Sequence, residues 1–507
     1  MPRQTPQASP WASLREVWTR VPLYPLMLAL STVFVAQTEI GISLAAVMRS
    51  ALIAAAVSVM LIALWWAITR DLAIAGVLAA AMILVLRSGG AGPALTAVLL
   101  AVLCAVAVVW GSRRSPEGWR RRGTGILNLI GAALLAVGFG GSLYAEVASI
   151  TSVPPAPQLA LAPSGPLPDV YVVLLDAYPS SDALERTTGF ENGQFIADLE
   201  SRGLSVSVDA RSNFMYTAPS LVSFFDLGQM GAVGRSIRTT RHALRPSDAI
   251  NGSPALDVLD HAGYTTFAAV ARWERETLRV ADRLCGTGPL NEFESHLIGA
   301  SLLGRALDAF APGWRAARDR SIVSAEFECA GNSADAQAAT GPRFSFSHIG
   351  SPHEPIVFDS AGMPAPLDVY LDPLEILPSE RGPVDRAYLD QLEYLNRETV
   401  RVIDQILEES AEPPVIIVTA DHGSWFDIGT DYDEGSDLRE RFSILFAAST
   451  PGHPDLFPHD VTIGQVLPIL FNAYLGTEIE VPESRYFFSR TADVFSLTEI
   501  PDPFEGR

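Results

Sequence analysis

Pro414-Val-Ile-Ile-Val-Thr-Ala420, followed at once by Asp421-His422-Gly423, decides how this chain is read. A continuous apolar run of that length, rich in β-branched residues, is the pattern of a strand buried on both faces. In open α/β sheets, ligands gather outside the carboxyl ends of the strands. A carboxylate and an imidazole placed just past such a run therefore stand where a metal ion can be held. Taken alone, the tripeptide also reads as a helix N-cap or a turn.

Two further runs agree with the first. Asp169-Val-Tyr-Val-Val-Leu-Leu175 ends in Asp176 before the breaker Pro179-Ser-Ser, and Phe344-Ser-Phe-Ser runs into His348-Ile-Gly-Ser-Pro-His353-Glu-Pro. Each delivers Asp or His at the same relative place. Between them, helical stretches at 192–202, 256–262 and 388–410 alternate with β runs, two of them through Gly203 and Gly263. Helix, glycine and strand in repetition predict a mostly parallel central sheet with helices on both faces. Residues 226–250 and 275–340 lack a clean period, which predicts loops and peripheral helices there.

The chain has 507 residues, 48% of them hydrophobic, and residues 1–150 hold nearly all the long apolar runs. Five membrane spans are expected, near Val21–Ala36, Ala51–Thr69, Leu72–Leu86, Pro93–Trp110 and Gly125–Val147, against the roughly 20 residues that a bilayer core requires. With the N-terminus inside, Arg3, Arg15, Arg20, Arg70, Arg113, Arg114, Arg120, Arg121 and Arg122 are cytoplasmic, and only Arg49 and Arg87 fall in outer loops. That is a positive-inside bias, and an odd number of spans places everything after Val147 outside. The expected organisation is a cytoplasmic tail (1–20), a five-helix transmembrane bundle (21–147), a linker (148–168), an extracytoplasmic catalytic domain (169–490) and a C-terminal tail (491–507). The linker carries six prolines and reads as a semi-rigid spacer.

Charge divides the same way. Residues 1–150 carry 11 Arg and 5 acids, and the remainder carries 25 basic and 52 acidic residues, for an overall net charge of −21. An acidic outer domain repels nucleic acid and anionic headgroups. A phosphate or sulfate ester is approached only if a bound cation reverses that field locally. Cys104 falls within the fourth expected span, while Cys285 and Cys329 are the two thiols of the outer part. They read as a disulfide outside the cell, or as two unpaired buried thiols.

The segment Asn213-Phe-Met-Tyr-Thr217-Ala-Pro-Ser220 completes the set. Strand–Asp176, Thr217-Ala-Pro-Ser, His348…Pro352-His353-Glu-Pro and Asp421-His-Gly, in that order, resemble the alkaline phosphatase superfamily. The nearest family is the sulfatase-like membrane proteins, with lipoteichoic acid synthases and phosphoethanolamine transferases as relatives. The resemblance extends over nearly the whole chain. It implies an alkaline phosphatase/sulfatase-like outer domain, Thr217 as nucleophile, and Asp176, Thr217, Asp421 and His422 as ligands of one divalent ion. It also implies that His353 touches the substrate anion, with His348 beside it. Zn²⁺ or Mn²⁺ suits mixed oxygen and nitrogen donors. Asn213 can donate a further hydrogen bond to substrate. Arg441, opening a strand that reads Arg441–Phe446, can contact an anion or stand as an ordinary surface arginine. Thr217 also reads as a helix N-cap, and His353 as a loop histidine.

Departures from the pattern narrow the chemistry. Sulfatases oxidise Cys or Ser to an aldehyde hydrate, which a threonine cannot form because its β-carbon carries a methyl, and they use active-site lysines, whereas this chain contains none. The expectation is therefore a phosphotransferase or phosphohydrolase acting on a membrane lipid or a lipid-linked envelope glycopolymer through a phosphothreonine. A sulfuric ester hydrolase and a non-catalytic envelope protein keeping the fold are the alternatives.

Overall fold

The computed structural model describes residues 10–87, 117–150, 159–227, 245–286, 288, 290–331, 341–370, 381–426, 433, 436–491 and 493–505. They form two compact units, residues 1–147 with 292–312, and residues 148–291 with 313–507.

The second unit is built on a seven-stranded sheet of β1 (Val170–Asp176), β2 (Ser205–Val206), β3 (Thr265–Ala269), β4 (Arg283–Cys285), β5 (Arg343–Pro352), β6 (Val415–Thr419) and β7 (Phe446–Ser449), in the order β2-β7-β6-β1-β5-β3-β4. β6, β1, β5, β3 and β4 run parallel, and β7 and β2 close one edge antiparallel. Every residue of β1, β5 and β6 is buried, so continuous apolar runs rather than alternating ones were the correct signature. β1 is central, and Val170 pairs with both Phe344 and Val415, which brings the carboxyl ends of the three strands together. Helices Trp314–Gly331 and Arg381–Glu409 pack on β5 and on one another, and helix Thr217–Phe225 sets Phe224 and Phe225 against Phe346 of β5. Each such side chain, fully buried, contributes about 1.5–3 kcal/mol.

Three expected boundaries are corrected. Residues 491–507 are not a tail: β9 (Asp493–Ile500) pairs antiparallel with β8 (Tyr486–Arg490), and Phe495 and Phe504 are buried. The later part of the linker is no free spacer, because Leu159, Leu161 and Leu167 pack on the core and the Ala162 N–H donates to the Leu475 carbonyl at 2.9 Å. Gly476, at φ 63°, permits that approach, since a Cβ there would meet the Ala162 oxygen at 2.1 Å. The stretch 275–340 contributes a sheet strand, β4, and the 18-residue helix Trp314–Gly331.

The first unit holds apolar helices Tyr24–Ile40, Leu44–Thr69, Leu72–Arg87 and Glu117–Ile150. Leu44–Thr69 and Glu117–Ile150, with 26 and 34 residues, are long and apolar enough to cross a membrane. Tyr24–Ile40 and Leu72–Arg87, with 17 and 16 residues, are shorter than the roughly 20 a bilayer core takes. The expected span Pro93–Trp110, with Cys104, lies outside the described residues, as do 151–158 of the linker. Residues 292–312, expected within the catalytic domain, belong to this unit instead. Phe293 is fully buried in a cluster with Val33, Phe34 and Val47, and buried Glu294 pairs with Arg49. That segment was not separable by pattern because its two helices, Glu292–Gly299 and Leu302–Phe310, are only eight and nine residues long.

Candidate active site

The shared register of β1 and β6 puts Asp176, the last residue of β1, beside Asp421 and His422, which follow β6. Helix Thr217–Phe225 brings Thr217 to the same place. His422 Nε2 lies 3.2 Å from Thr217 Oγ1, 3.2 Å from Asp421 Oδ2 and 3.8 Å from Asp176 Oδ1. Asp176, Asp421 and His422 are all buried. Thr217 is not the cap of its helix: the extended Tyr216 (φ −138°, ψ 151°) holds that position and Thr217 opens the first turn, two residues before Pro219.

Asp421 is anchored through one oxygen, while its Oδ2 has no hydrogen-bond partner among the described residues. Its Oδ1 accepts the N–H of Ala177 at 3.0 Å and the N–H of His422 at 2.9 Å. Ala177 reaches it by adopting φ 61°, a left-handed conformation that costs an L-residue about 1–2 kcal/mol, and its carbonyl is held by the Tyr388 hydroxyl at 2.8 Å. Non-glycine residues in that region are rare enough to mark a constrained site. His422 Nδ1 lies 3.0 Å from the Gly423 carbonyl, which can only accept, so Nδ1 carries the proton and Nε2 presents a lone pair. Gly423 cannot be replaced, since a Cβ there would meet the Glu440 carbonyl at 2.0 Å.

That tautomer provides the test for a metal. An unprotonated Nε2 faces the Asp421 carboxylate at 3.2 Å, acceptor against acceptor. Neither side-chain oxygen of Asp176 has a hydrogen-bond partner among the described residues. Donors about 2.0–2.1 Å from a shared tetrahedral ion stand about 3.3 Å apart, so Asp176, Thr217, Asp421 and His422 fit a divalent cation. Without one, the charges are poorly tolerated. Burial pushes the Asp176 carboxyl well up, and burial together with the Asp176 charge pushes Asp421 up to about 7. Burial, with Arg441 and His353 alongside, holds His422 well below the usual histidine range.

Arg441 is neither on a strand nor at the surface. It lies in the short helix Arg439–Phe442, is fully buried, and β7 begins only at Phe446. Its Nε donates to the Met215 carbonyl at 2.7 Å, Nη1 to the Gly423 carbonyl and Nη2 to His422 Nε2 at 3.0 Å, with the guanidinium 3.4 Å over the Trp425 ring. Two backbone anchors keep the cationic group in place even when the Nε2 lone pair is committed elsewhere. Asn213 is a brace: its Oδ1 accepts the Gly464 N–H at 3.1 Å and its Nδ2 donates to the Arg485 carbonyl at 2.9 Å, so both ends of the carboxamide are engaged by backbone.

His353 stands at the site mouth, its ring 6.2 Å from that of His422 and 5.2 Å from Trp273. Its Nδ1 donates to the Glu354 carbonyl at 2.7 Å, which leaves Nε2 unprotonated, and burial with the facing Arg441 and Arg272 lowers its pKa to about 3. The ring is thus held neutral, with a lone pair at Nε2. His348, expected at the substrate, is instead enclosed on β5, with Nε2 3.3 Å from Asp176 Oδ2 and Nδ1 3.6 Å from Glu276 Oε2. Glu276 was missed by sequence reasoning. It ends a short 3₁₀ turn, Glu274–Glu276, where Glu-Arg-Glu reads as ordinary surface charge. A disulfide joins Cys285 on β4 to Cys329 in helix Trp314–Gly331, with Cα atoms 5.9 Å apart.

No family model and no curated protein matches the chain. Similar solved structures include the C-terminal periplasmic domain of EcEptC from Escherichia coli in complex with Zn (14% identity, 70% of this chain and 95% of that chain, TM-score 0.44). They also include the integral membrane lipooligosaccharide phosphoethanolamine transferase A from Neisseria meningitidis (12% identity, 81% and 74%, TM-score 0.40) and BT1596, a 2-O GAG sulfatase (14% identity, 65% and 74%, TM-score 0.39). Phosphoethanolamine transferases and sulfatases, the two classes the motif order resembles, thus both occur among them. At these scores the likeness carries no argument about chemistry.

Proposed function

We propose that this chain is a membrane-anchored, cation-dependent phosphotransferase or phosphohydrolase. On this reading it takes a phospho-group from a lipid or lipid-linked envelope glycopolymer through a phosphothreonine at Thr217, on the outer face of the membrane. The observation that carries the reading is the Thr217 hydroxyl 3.2 Å from the unprotonated Nε2 of His422, among buried carboxylates of which Asp176 has no donor. A divalent ion of the Zn²⁺ or Mn²⁺ class, held by Asp176, Thr217, Asp421 and His422, supplies Lewis-acid polarisation and lowers the pKa of the hydroxyl.

The residues of the chain do the rest. Thr217 Oγ forms a bond to phosphorus as the bond from phosphorus to the departing oxygen breaks, and the threonine proton ends on the departing alcohol. An acceptor alcohol or water then attacks the phosphothreonine and gives up its proton, which ends on Thr217 Oγ as that ester opens. His353, neutral with an unprotonated Nε2, can accept a hydrogen bond from the attacking hydroxyl and orient it, and it is not poised as an acid for the first step. Arg441 places fixed positive charge where the phosphoryl oxygens gather. Support for the membrane placement comes from the arginine bias and from four apolar helices overlapping four of the five expected spans. The orientation and the fifth span belong to the same proposal.

The test is a covalent adduct. The full chain, purified in detergent and exposed to phospholipid extract, is digested and searched for a mass increase on Thr217, expected in the wild type and absent in Thr217→Ala. Faster release of sulfate than of phosphate from matched aryl esters would replace this reading with a sulfuric ester hydrolase. Absence of any adduct, with unchanged phenotype in Thr217→Ala, would replace it with a non-catalytic protein.

A further inference from the structure

We propose that the helix Leu302–Phe310 lies flat in the outer lipid leaflet, with Leu303, Leu307 and Phe310 immersed at the boundary of headgroups and acyl chains. This gives the chain a hold on the bilayer besides its spans. The inference rests on the membrane placement in the proposed function and not on its chemistry.

The helix pair Glu292–Gly299 and Leu302–Phe310 is an excursion. The chain leaves the second unit after Asn291, enters the first, and returns at Gly313. Within the first unit, Glu292–Gly299 packs against Tyr24–Ile40 and Leu44–Thr69, and Leu302–Phe310 contacts Leu72–Arg87. Its anchors are Phe293, among Val33, Phe34 and Val47, and Glu294, on Arg49. These partners lie on and beside residues 37–50, between the first two expected spans. The pair therefore stands at the end of the apolar helices that the span count places outside.

Leu303, Leu307 and Phe310 recur at helical spacing and form one apolar stripe, while Arg305 and Asp308 stand on the opposite side. Gly304, about a quarter turn from the middle of the stripe, marks the face that packs. It is buried, and a Cβ there would meet the Ile298 carbonyl oxygen at 2.3 Å. Ser301 sets this closure, accepting the Gly304 N–H at 3.2 Å and donating to the Ile298 carbonyl at 2.6 Å. With that face against the preceding helix, the stripe is turned out. Leu303 is 52% exposed, and Phe310, at 89%, is the most exposed large apolar side chain among the described residues.

Lipid is the occupant that fits. The stripe continues an apolar surface already open on the spans, where Leu52 and Ile53 of Leu44–Thr69 are exposed one turn beyond Arg49. The helix has nine residues and so reaches about 14 Å, too short for the roughly 30 Å of a hydrocarbon core. An apolar stripe with charge on the far side lies in the plane of the interface. The Cys285–Cys329 disulfide closes the base of the excursion, since its two ends flank residues 292–312 in the chain. A hold on the bilayer thus passes to β4 and to helix Trp314–Gly331 through a closed loop.

The experiment places photoreactive benzoylphenylalanine in the full chain, one position at a time. Each variant is reconstituted in vesicles of phosphatidylethanolamine and phosphatidylglycerol and irradiated, and adducts are read by mass spectrometry. Phe310→benzoylphenylalanine and Leu303→benzoylphenylalanine should each gain the mass of a phospholipid. Arg305→benzoylphenylalanine should gain it several-fold less, and Leu52→benzoylphenylalanine, on a span, should gain it as fully as Phe310. Lipid at Leu52 with none at Phe310 and Leu303 overturns the inference and leaves the membrane placement standing. Adducts from Phe310 to a peptide of this chain or of a second copy, in place of lipid, overturn it likewise. Equal lipid labelling at Arg305 and Phe310 overturns the orientation of the helix. No lipid at Leu52 overturns the membrane placement and the inference together. Leu303 decides the question if the Phe310 variant fails to reconstitute.

Discussion

The carboxyl ends of β6 and β1 are neighbours in one sheet and equally buried, yet they are satisfied in opposite ways. Past β6, Asp421 Oδ1 receives two backbone N–H groups, its carbonyl receives the Ser212 hydroxyl at 2.6 Å, and His422 is fixed through Nδ1 by Gly423. Past β1, the side chain of Asp176 receives no hydrogen bond among the described residues, and the facing His348 receives none either. The first end is pre-organised by the protein itself, so its geometry holds whether or not a ligand is bound. At the second, neither carboxylate oxygen is anchored by a described residue, whereas at the first one of the two is. The contrast locates charge compensation at Asp176 and orientation at Asp421.

The largest expected effect tests what both ends converge on. Thr217→Ala should lower turnover by about 10⁴-fold or more, since a nucleophile has no substitute, while Thr217→Ser keeps an attacking hydroxyl and most of the rate. Steady-state assay of phosphate release, with metal content measured in parallel, checks this. Next come paired variants in chelated protein. Asp421→Ala leaves the buried N–H groups of Ala177 and His422 without an acceptor and should cost about 2–4 kcal/mol. Asp176→Asn replaces a buried carboxyl that no described residue hydrogen-bonds and whose ionisation burial opposes, so it should leave metal-free stability unchanged or raised while weakening cation affinity. Denaturant melts decide, and the contrast breaks if Asp176→Asn destabilises the chelated protein.

A pH series gives a smaller and broader signal. Asp421 is pushed up to about 7 by burial and by the Asp176 charge, above its unfolded value of about 3.9. Folded protein therefore retains a proton that the unfolded chain has lost, and stability of the chelated protein should fall as pH rises from about 4 through about 7. Saturating Zn²⁺ should flatten that slope by stabilising the ionised carboxylates, which thermal melts at several pH values will show. The smallest effect is Ala177→Gly. Relief of the left-handed backbone should change stability by no more than about 1 kcal/mol, because glycine adds unfolded-state freedom while removing strain. Retained cation affinity in that variant would show that the N–H to Asp421, and not the side chain, is what the position supplies.

What was legible in the sequence was local. β1, β5 and β6 announce themselves because a strand buried on both faces is a contiguous apolar run, and Asp176, Asp421 and His422 follow from standing at the ends of such runs. Thr217 came from motif order, and the apolar helices from composition. The C-terminal strand was missed because the alternation from Phe495 to Leu497 is too short to outweigh its acids. Glu276, Arg441, Asn213 and the enclosure of His348 were decided only by the tertiary structure. A charged or polar side chain carries no sequence mark of burial, since its default is solvent. It is buried only when distant segments supply its neighbours: Met215 and Gly423 for Arg441, Gly464 and Arg485 for Asn213, Asp176 and Glu276 for His348. Residue type and order along the chain are sufficient to assemble a set of donors, but which of them face one another through space is settled by the packing that brings their strands and helices together.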